Sequence, residues 1–329
     1  MKILFSGIQP TGKLHIGNFF GAIKNWVNIQ HDYKSYFSVV DYHSITIKYD
    51  PEEMRERVMD MAVNLYACGI DMEKTNLFIQ SEVPGHADLT WIFNSVTPMG
   101  ELERMTQYKD KAQQNAKNVN VGLFDYPVLQ AADILIYKAE VVPVGEDQVQ
   151  HIEFTREISR NFNSRFGQTF PEPKELLTKT PRVLGIDGEK KMSKSLGNDI
   201  GLLESGEEIM NKLRGAKTDP ARVTRNDPGN PDVCNIYSYH RLVSHEDERS
   251  EVVDGCRSAG MGCVDCKKIL HKNLMKVLDP IRDRYENINK NKVSVREILT
   301  QNAEKCRRIA KQTILEVKEK MGLNPLWKI

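Results

Sequence analysis

The chain has 329 residues, 40% hydrophobic and 28% charged, with a net charge of +1, a balance that excludes disordered, fibrous and disulfide-scaffold classes. No stretch approaches the roughly 20 apolar residues that span a bilayer, and the N-terminus lacks a signal peptide's basic start and apolar core. A cytoplasmic protein with no membrane partner is expected. The near-neutral total hides an asymmetry, because Gly262–Ile329 carries sixteen Lys/Arg against eight Asp/Glu and leaves 30 against 37 before it. A C-terminal fifth at +8, beside a remainder at −7, suits a polyanionic partner.

In chain order, the apolar run Ile3–Phe5 predicts a strand that gives way to a helix over Asn18–His31. Tyr36–Val40 reads as a second strand. Pro51–Cys68 follows as a helix with proline at a first-turn position and Gly69 as its stop. Asn76–Gln80 predicts a strand, Ala87–Val96 and Val128–Lys138 helices, Val141–Val144 a strand and Asp147–Phe162 a helix; a shorter strand is expected at Arg182–Leu184. Apolar strands alternating with helical periodicity indicate an α/β fold, a parallel sheet covered by helices. From Leu203 the β-rich runs vanish and lysine-rich helical segments take over, so the chain divides into a catalytic domain over 1–200 and a mainly helical domain over 201–329.

Two short segments carry the chemistry. Pro10-Thr11-Gly12-Lys13-Leu14-His15-Ile16-Gly17-Asn18 places glycines and a histidine at a strand-to-helix turn, where backbone approaches phosphate closely and a helix N-terminus favours anions. Lys191-Met192-Ser193-Lys194-Ser195 offers two ammonium groups and two hydroxyls between Gly188 and Gly197, suited to a triphosphate whose charge shifts during transfer. Asp133 is the acid within an otherwise apolar helical run, Tyr126 to Tyr137. A carboxylate there is costly unless paired, so it reads as an acceptor for a ligand N–H or O–H.

Six cysteines in a chain of this kind rarely mean disulfides. Cys68 and Cys306 sit in apolar helical contexts and read as packing residues. Cys234, Cys256, Cys263 and Cys266 cluster within one stretch and include a CxxC, a four-thiolate set that fits Zn²⁺ or an iron–sulfur cluster equally well by ligand count.

The paired segments resemble the two signatures of class I aminoacyl-tRNA synthetases, HIGH at His15-Ile16-Gly17-Asn18, with Asn18 in the fourth place, and KMSKS at Lys191–Ser195. With Gly7-Ile8-Gln9-Pro10, Val40–Thr46, Gly100–Gln107 and Val142–Gln148 the likeness narrows to bacterial tryptophanyl-tRNA synthetases over essentially the whole chain. That resemblance implies a Rossmann-like doubly wound catalytic domain, a helical anticodon-binding domain, a homodimer, and a two-step reaction on ATP, Mg²⁺, L-tryptophan and tRNA(Trp). It implies an ATP site at Gln9, Pro10, Thr11, His15, Gly17, Asn18, Lys111, Gly145, Asp147, Gln148, Val183, Lys191, Met192, Ser193, Lys194 and Ser195. The catalytic groups among these are His15, Asn18, Lys111, Lys191, Ser193, Lys194 and Ser195. It implies a tryptophan pocket of Phe5, Gln9, His43, Gln107, Tyr126, Gln130, Asp133, Val142 and Val144, with Asp133 accepting the indole N–H.

Gln130 stands where the best-known bacterial enzymes carry methionine. A Gln-x-x-Asp pair is also how tyrosyl-tRNA synthetases hold a phenol, so tyrosine is the rival substrate; Phe5 speaks against it, lacking the hydroxyl usual in tyrosine enzymes. The tryptophan subgroup with this glutamine carries a 4Fe-4S cluster on four cysteines spaced nearly like these. A tRNA-independent nucleotidyltransferase is opposed by the basic C-terminus, and an inactive tRNA-binding paralogue by the intact lysines and serines of Lys191–Ser195.

Overall fold

A computed structural model describes residues 1–105, 119–177 and 182–323. Five strands, β1 (Ile3–Ile8), β2 (Lys34–Val39), β3 (Asn76–Ile79), β4 (Val141–Val144) and β5 (Lys174–Leu177), form one parallel sheet in the order β3-β2-β1-β4-β5. β1 and β2 pair from Ile3 opposite Lys34 to Ile8 opposite Val39. The chain first builds outward from β1 to β3, then crosses back to add β4 on the other side of β1. In such a doubly wound sheet, the crevice beyond the C-terminal ends of the two strands flanking the reversal is where ligands bind.

Successive residues of the strands face opposite sides of the sheet. Leu4, Phe37, Leu77 and Val141 enter one core with Ile16, Trp26 and Leu65, while Phe5, Tyr36, Phe78 and Val142 enter another with Leu89, Ile134 and Ile158. Both faces being covered, these strands read as continuous apolar runs. The fifth strand does not follow that rule and is not the expected Arg182–Leu184. It is Lys174–Leu177, half-exposed and led by two charged residues, as suits a sheet edge. Leu184 instead makes an isolated antiparallel bridge with Lys191.

The first helix also departs from expectation. It opens earlier, at Ile16–Asn18, widens into a π-helical stretch at Phe19–Ile23 and resumes over Lys24–Ile29. The helix expected from Val128 instead begins at Val121 and runs to Leu135, because Asn120 caps it through Leu123 N at 2.9 Å and Pro127 is carried inside rather than marking a start. Pro51–Ala67 matches its signals, with Asp50 accepting from Glu52 N and Glu53 N at its start.

Beyond residue 205 come Gly206–Gly215, Asn235–Val243, Glu246–Arg257, Cys263–Lys290 and Lys292–Lys320. The last helix returns to the sheet, where Asn302 Nδ2 donates to Met72 O at 2.9 Å and Leu77 O at 3.2 Å, covering the β3 edge. Its Val295 and Leu299 belong to one core and its Ala303 and Cys306 to the other.

Candidate active site

A cavity of about 300 Å³ opens in the crevice between β1 and β4. Phe5, Gln9, His43, Tyr126, Gln130, Asp133, Val142, Val144, Gly145 and Gln148 line it, so ten of the expected site residues converge there. Ser6, Gly7, Trp26 and Val40 are among the remaining lining residues; Ser6 and Trp26 carry no signal in the sequence, where they pass for ordinary strand and helix positions. Gln107 and Lys111 lie outside the described residues. A larger groove, about 430 Å³, opens beside Trp91 and shares Tyr126 alone with the first cavity. Of the expected site residues it holds Tyr126 alone, and ligand chemistry belongs to the smaller cavity with its convergent polar groups.

Asp133 is 1% exposed at the floor of the cavity. His43 Nε2 lies 2.8 Å from its Oδ2, while Gln80 Nε2 at 2.6 Å and His86 Nδ1 at 2.7 Å meet its Oδ1. Burial by itself pushes this carboxyl up, but hydrogen bonds from His43 and then His86, with their positive charge when protonated, outweigh it and hold the group below the usual carboxylate range. The result is a buried acceptor that is ionised at neutral pH. His43 sits in the short helix Asp41–Ser44 after β2, Gln80 and His86 follow β3, and Asp41 ties the two connections by accepting from Ser81 N at 3.0 Å. Gln80 and His86 were missed in the sequence. The one sign was a polar residue closing an apolar strand.

The two motif segments meet each other. Ile16 N donates to Ile200 O at 2.9 Å and Leu202 N to Leu14 O at 3.0 Å, so the turn before the first helix pairs with the chain just after Lys191–Ser195. His15 caps the helix: its Nδ1 accepts from Asn18 N at 3.3 Å, and its own N–H donates to Asn18 Oδ1 at 3.1 Å. Burial lowers the His15 pKa, Asp199 opposing and Lys191 adding to it. The ring is neutral at pH 7, and with Nδ1 accepting, its proton stands on Nε2 as a free-facing donor. A Cβ on Gly17 would lie 2.9 Å from His15 Nδ1 and 3.3 Å from Met192 Cβ, so glycine is what lets the segments close on each other. Gly12, at φ +83°, turns beneath the stem of Lys194.

Met192 is buried and its N–H donates to Val183 O at 3.1 Å. Lys191, Lys194 and Ser195 are exposed, and Ser193 is half-buried with its Oγ 2.9 Å from Ser195 Oγ. Buried Asn198 braces the segment, accepting from Ser193 N at 2.8 Å and donating to Asp187 Oδ2 at 2.7 Å. Gly145 lines the cavity and Asp147 stands exposed at its rim, with Gln148 Nε2 3.3 Å from Asp147 Oδ2. Pro10 and Thr11 lie in the turn between Gln9 and Gly12.

Cys234, Cys256, Cys263 and Cys266 line one small cavity far along the chain from this site, with Arg222 and Met261. Cys263 and Cys266 occupy the first turn of the helix Cys263–Lys290. Among the described residues, however, no three His, Cys, Asp or Glu are grouped closely enough to hold a metal ion. The four cysteines, expected to hold an iron–sulfur cluster or zinc, therefore form no closed ligand set for either. Burial pushes the thiol of Cys266 up to about 12, neighbouring cysteines adding to it. The Arg222 Nη1 lies 3.8 Å from Cys256 Sγ, and its buried Nε has no hydrogen-bond partner. Lys267 turns inward, its Nζ donating to Arg214 O and Ala216 O at 2.9 Å, so it is not part of the basic outer face.

A parallel sheet with a cavity at the chain reversal, together with two motif segments that pair with each other at a strand-to-helix turn, defines a Rossmann-like nucleotide-binding class of fold. The family model "tRNA synthetases class I (W and Y)" matches residues 1–279, and the chain belongs to that family. It is 52% identical to the tryptophan--tRNA ligase of Deinococcus radiodurans, over 98% of this chain and 99% of the relative. It is 45% identical to that of Thermotoga maritima, with the same coverage. Among solved structures, tryptophanyl-tRNA synthetase from Campylobacter jejuni complexed with ADP and tryptophan superposes with a TM-score of 0.87 at 35% identity, over 98% of this chain and 100% of that one.

Proposed function

We infer that the chain activates L-tryptophan with ATP and transfers it to tRNA(Trp), releasing pyrophosphate and AMP. The observation that carries this reading is the buried, ionised Asp133 on the floor of a cavity at the chain reversal, in a chain whose His15–Asn18 and Lys191–Ser195 segments are joined to each other. An indole N–H donating to Asp133 fixes the side chain and turns the amino-acid end toward Gln9 and Gln148. The tryptophan carboxylate oxygen attacks the α-phosphorus, and the bond to the pyrophosphate oxygen breaks. His15 Nε2–H and the Asn18 amide hold phosphate oxygens at the helix start, and Lys191, Lys194 and Ser193 meet the charge gathering on pyrophosphate. Mg²⁺ supplies further charge neutralisation when bound. A terminal ribose hydroxyl of tRNA then takes the aminoacyl group, so no protein nucleophile is required.

ATP–pyrophosphate exchange measured with tryptophan and tyrosine side by side tests the reading. Tryptophan should support exchange and tyrosine should not; the reverse order would hand Gln130 and Asp133 to the tyrosine reading. A tyrosyl-tRNA synthetase from Archaeoglobus fulgidus shares the fold at 23% identity and a TM-score of 0.66. The relatives at 52% and 45% identity support tryptophan.

The reading extends to the helical part. Residues 1–200 serve ATP and tryptophan and 201–329 serve tRNA, with the basic faces of the late helices toward its phosphates. The four cysteines hold a 4Fe-4S cluster. Four thiolates are the ligand count of such a cluster, and these four line one small cavity. The unpartnered Arg222 Nε and the Cys263 helix start suit the net negative charge of such a group. Anaerobically prepared protein should contain iron and labile sulfide, and Cys263→Ser should lose both and impair tRNA charging more than pyrophosphate exchange. Stoichiometric zinc without iron would overturn the cluster.

The protein acts as a homodimer. Trp91, 79% exposed, lines the larger groove with Ile45, and Val121, 80% exposed, stands between its lining residues Asn120 and Gly122, giving exposed apolar side chains of the kind that subunit contacts cover. Trp91→Glu should shift the mass seen by light scattering from dimer to monomer while leaving the far-UV circular dichroism unchanged. A monomeric wild type would remove this part of the reading.

A further inference from the structure

The Asp133 carboxylate has unusually many protein partners, and counting them tells what a ligand can still offer it. A carboxylate presents about four lone-pair directions, two on each oxygen. Oδ1 uses both, on Gln80 Nε2 and His86 Nδ1, and Oδ2 uses one, on His43 Nε2. One acceptor direction, on Oδ2, is left for the cavity that Asp133 lines.

The orientations of both Oδ1 partners are fixed from behind. Gln80 Oε1 accepts from Tyr42 N at 3.0 Å, which turns its amide N–H₂ toward Asp133. His86 is fully buried, with its Nδ1 against an ionised oxygen and its Nε2 2.8 Å from the Tyr137 hydroxyl. Nδ1 therefore donates to the carboxylate, and the far side of the ring is held against the Tyr137 hydroxyl. Tyr137 cannot swing away: it is stacked on Tyr36 at 4.6 Å between ring centroids and on Phe5 at 5.9 Å, and its hydroxyl also meets the Cys306 thiol on the last helix. Phe5 lines the cavity, so the same stacked rings reach the ligand.

We propose that His86, held in one orientation by Tyr137, is a positioning residue for amino-acid selection: by filling the second lone pair of Asp133 Oδ1 it confines the carboxylate to a single outward acceptor. That acceptor matches a ring N–H, which donates one hydrogen and accepts none. A phenyl ring leaves it unpaired, and a phenol brings acceptor lone pairs that the carboxylate cannot serve. His86 touches no reacting atom and acts through Asp133.

The proposal rests on tryptophan activation, and its test separates the two. The probe is β-(3-benzothienyl)alanine, in which sulfur replaces the indole N–H with nearly the same ring shape. In pyrophosphate exchange the wild type should prefer tryptophan in kcat/KM by about 100-fold or more, since a site built to pair an N–H rejects the analogue lacking it. His86→Leu frees the second lone pair and lets the carboxylate turn; the preference should fall below about tenfold, chiefly through a higher KM for tryptophan and less through kcat. His86→Asn, whose Nδ2 stands where the ring Nδ1 stood, should recover the wild-type preference to within about threefold. A wild type that does not exchange with tryptophan refutes the proposed activity itself. A folded His86→Leu that keeps the wild-type preference refutes the role of His86 alone. Should that variant not fold, Tyr137→Phe decides: removal of one oxygen from a stacked ring should lower the preference at least threefold, and an unchanged preference overturns the proposal.

Discussion

Asp133→Ala is expected to lower kcat/KM for tryptophan in pyrophosphate exchange by about 10³-fold or more, and to narrow the preference over phenylalanine in proportion. Two losses combine. The ligand N–H loses its acceptor, and His43, Gln80 and His86 are left in a buried space with nothing to donate to. Breaking a buried, charge-assisted network by removing one partner typically costs about 3–5 kcal/mol of stability, so the variant should also unfold at lower denaturant. Kinetics with tryptophan and phenylalanine, alongside equilibrium unfolding, separate the two effects. Wild-type selectivity in a folded variant would make Asp133 a structural residue. The carboxyl is held below its ordinary value in the fold, so its contribution is fully present above the unfolded value of about 4 and is lost as the pH falls from there through the lower folded value.

Lys194→Ala should slow single-turnover adenylate formation by about 10²-fold or more while tryptophan binding changes less than about twofold. Lys194 is exposed and lies over the Gly12 turn, outside the cavity that holds the amino-acid side chain. Its ammonium has most to do when charge moves from the α-phosphate toward pyrophosphate, and little before. Stopped-flow rates set beside equilibrium dialysis check this, and equal losses in rate and affinity would contradict a role confined to the transition state.

Much of this site could be read from the sequence because its parts are local. A run such as Ile3–Phe5 declares a strand buried on both faces, His15 and Gly17 announce a helix start, and one acid in an apolar helix must have a partner. The partners were another matter. Gln80 and His86 lie 53 and 47 residues from Asp133, and only the sheet order brings them together. β5 was missed for the opposite reason: an edge strand buries too little to show an apolar pattern, so Lys174–Leu177 reads as loop. The helix expected from Val128 starts earlier because Asn120, well upstream of the apolar run, caps it. Four cysteines were legible as a set, but the distances between thiols are not written in their spacing.

The rungs joining Leu14 and Ile16 to Leu202 and Ile200, with Val183 gripping Met192, pin the Lys191–Ser195 segment at both ends. What remains free between the anchors is Ser193 to Asp199, and Asn198 already restrains part of it through Ser193 N and Asp187. Fixing one residue's backbone costs about 1–2 kcal/mol, so arresting a long unanchored loop would consume much of the binding energy of a nucleotide. Here the span to be arrested is a short bow strung between two fixed posts. Lys194 and the two serines can follow the phosphates as they separate, yet they search a volume small enough that closing over ATP need not weaken its hold on the enzyme.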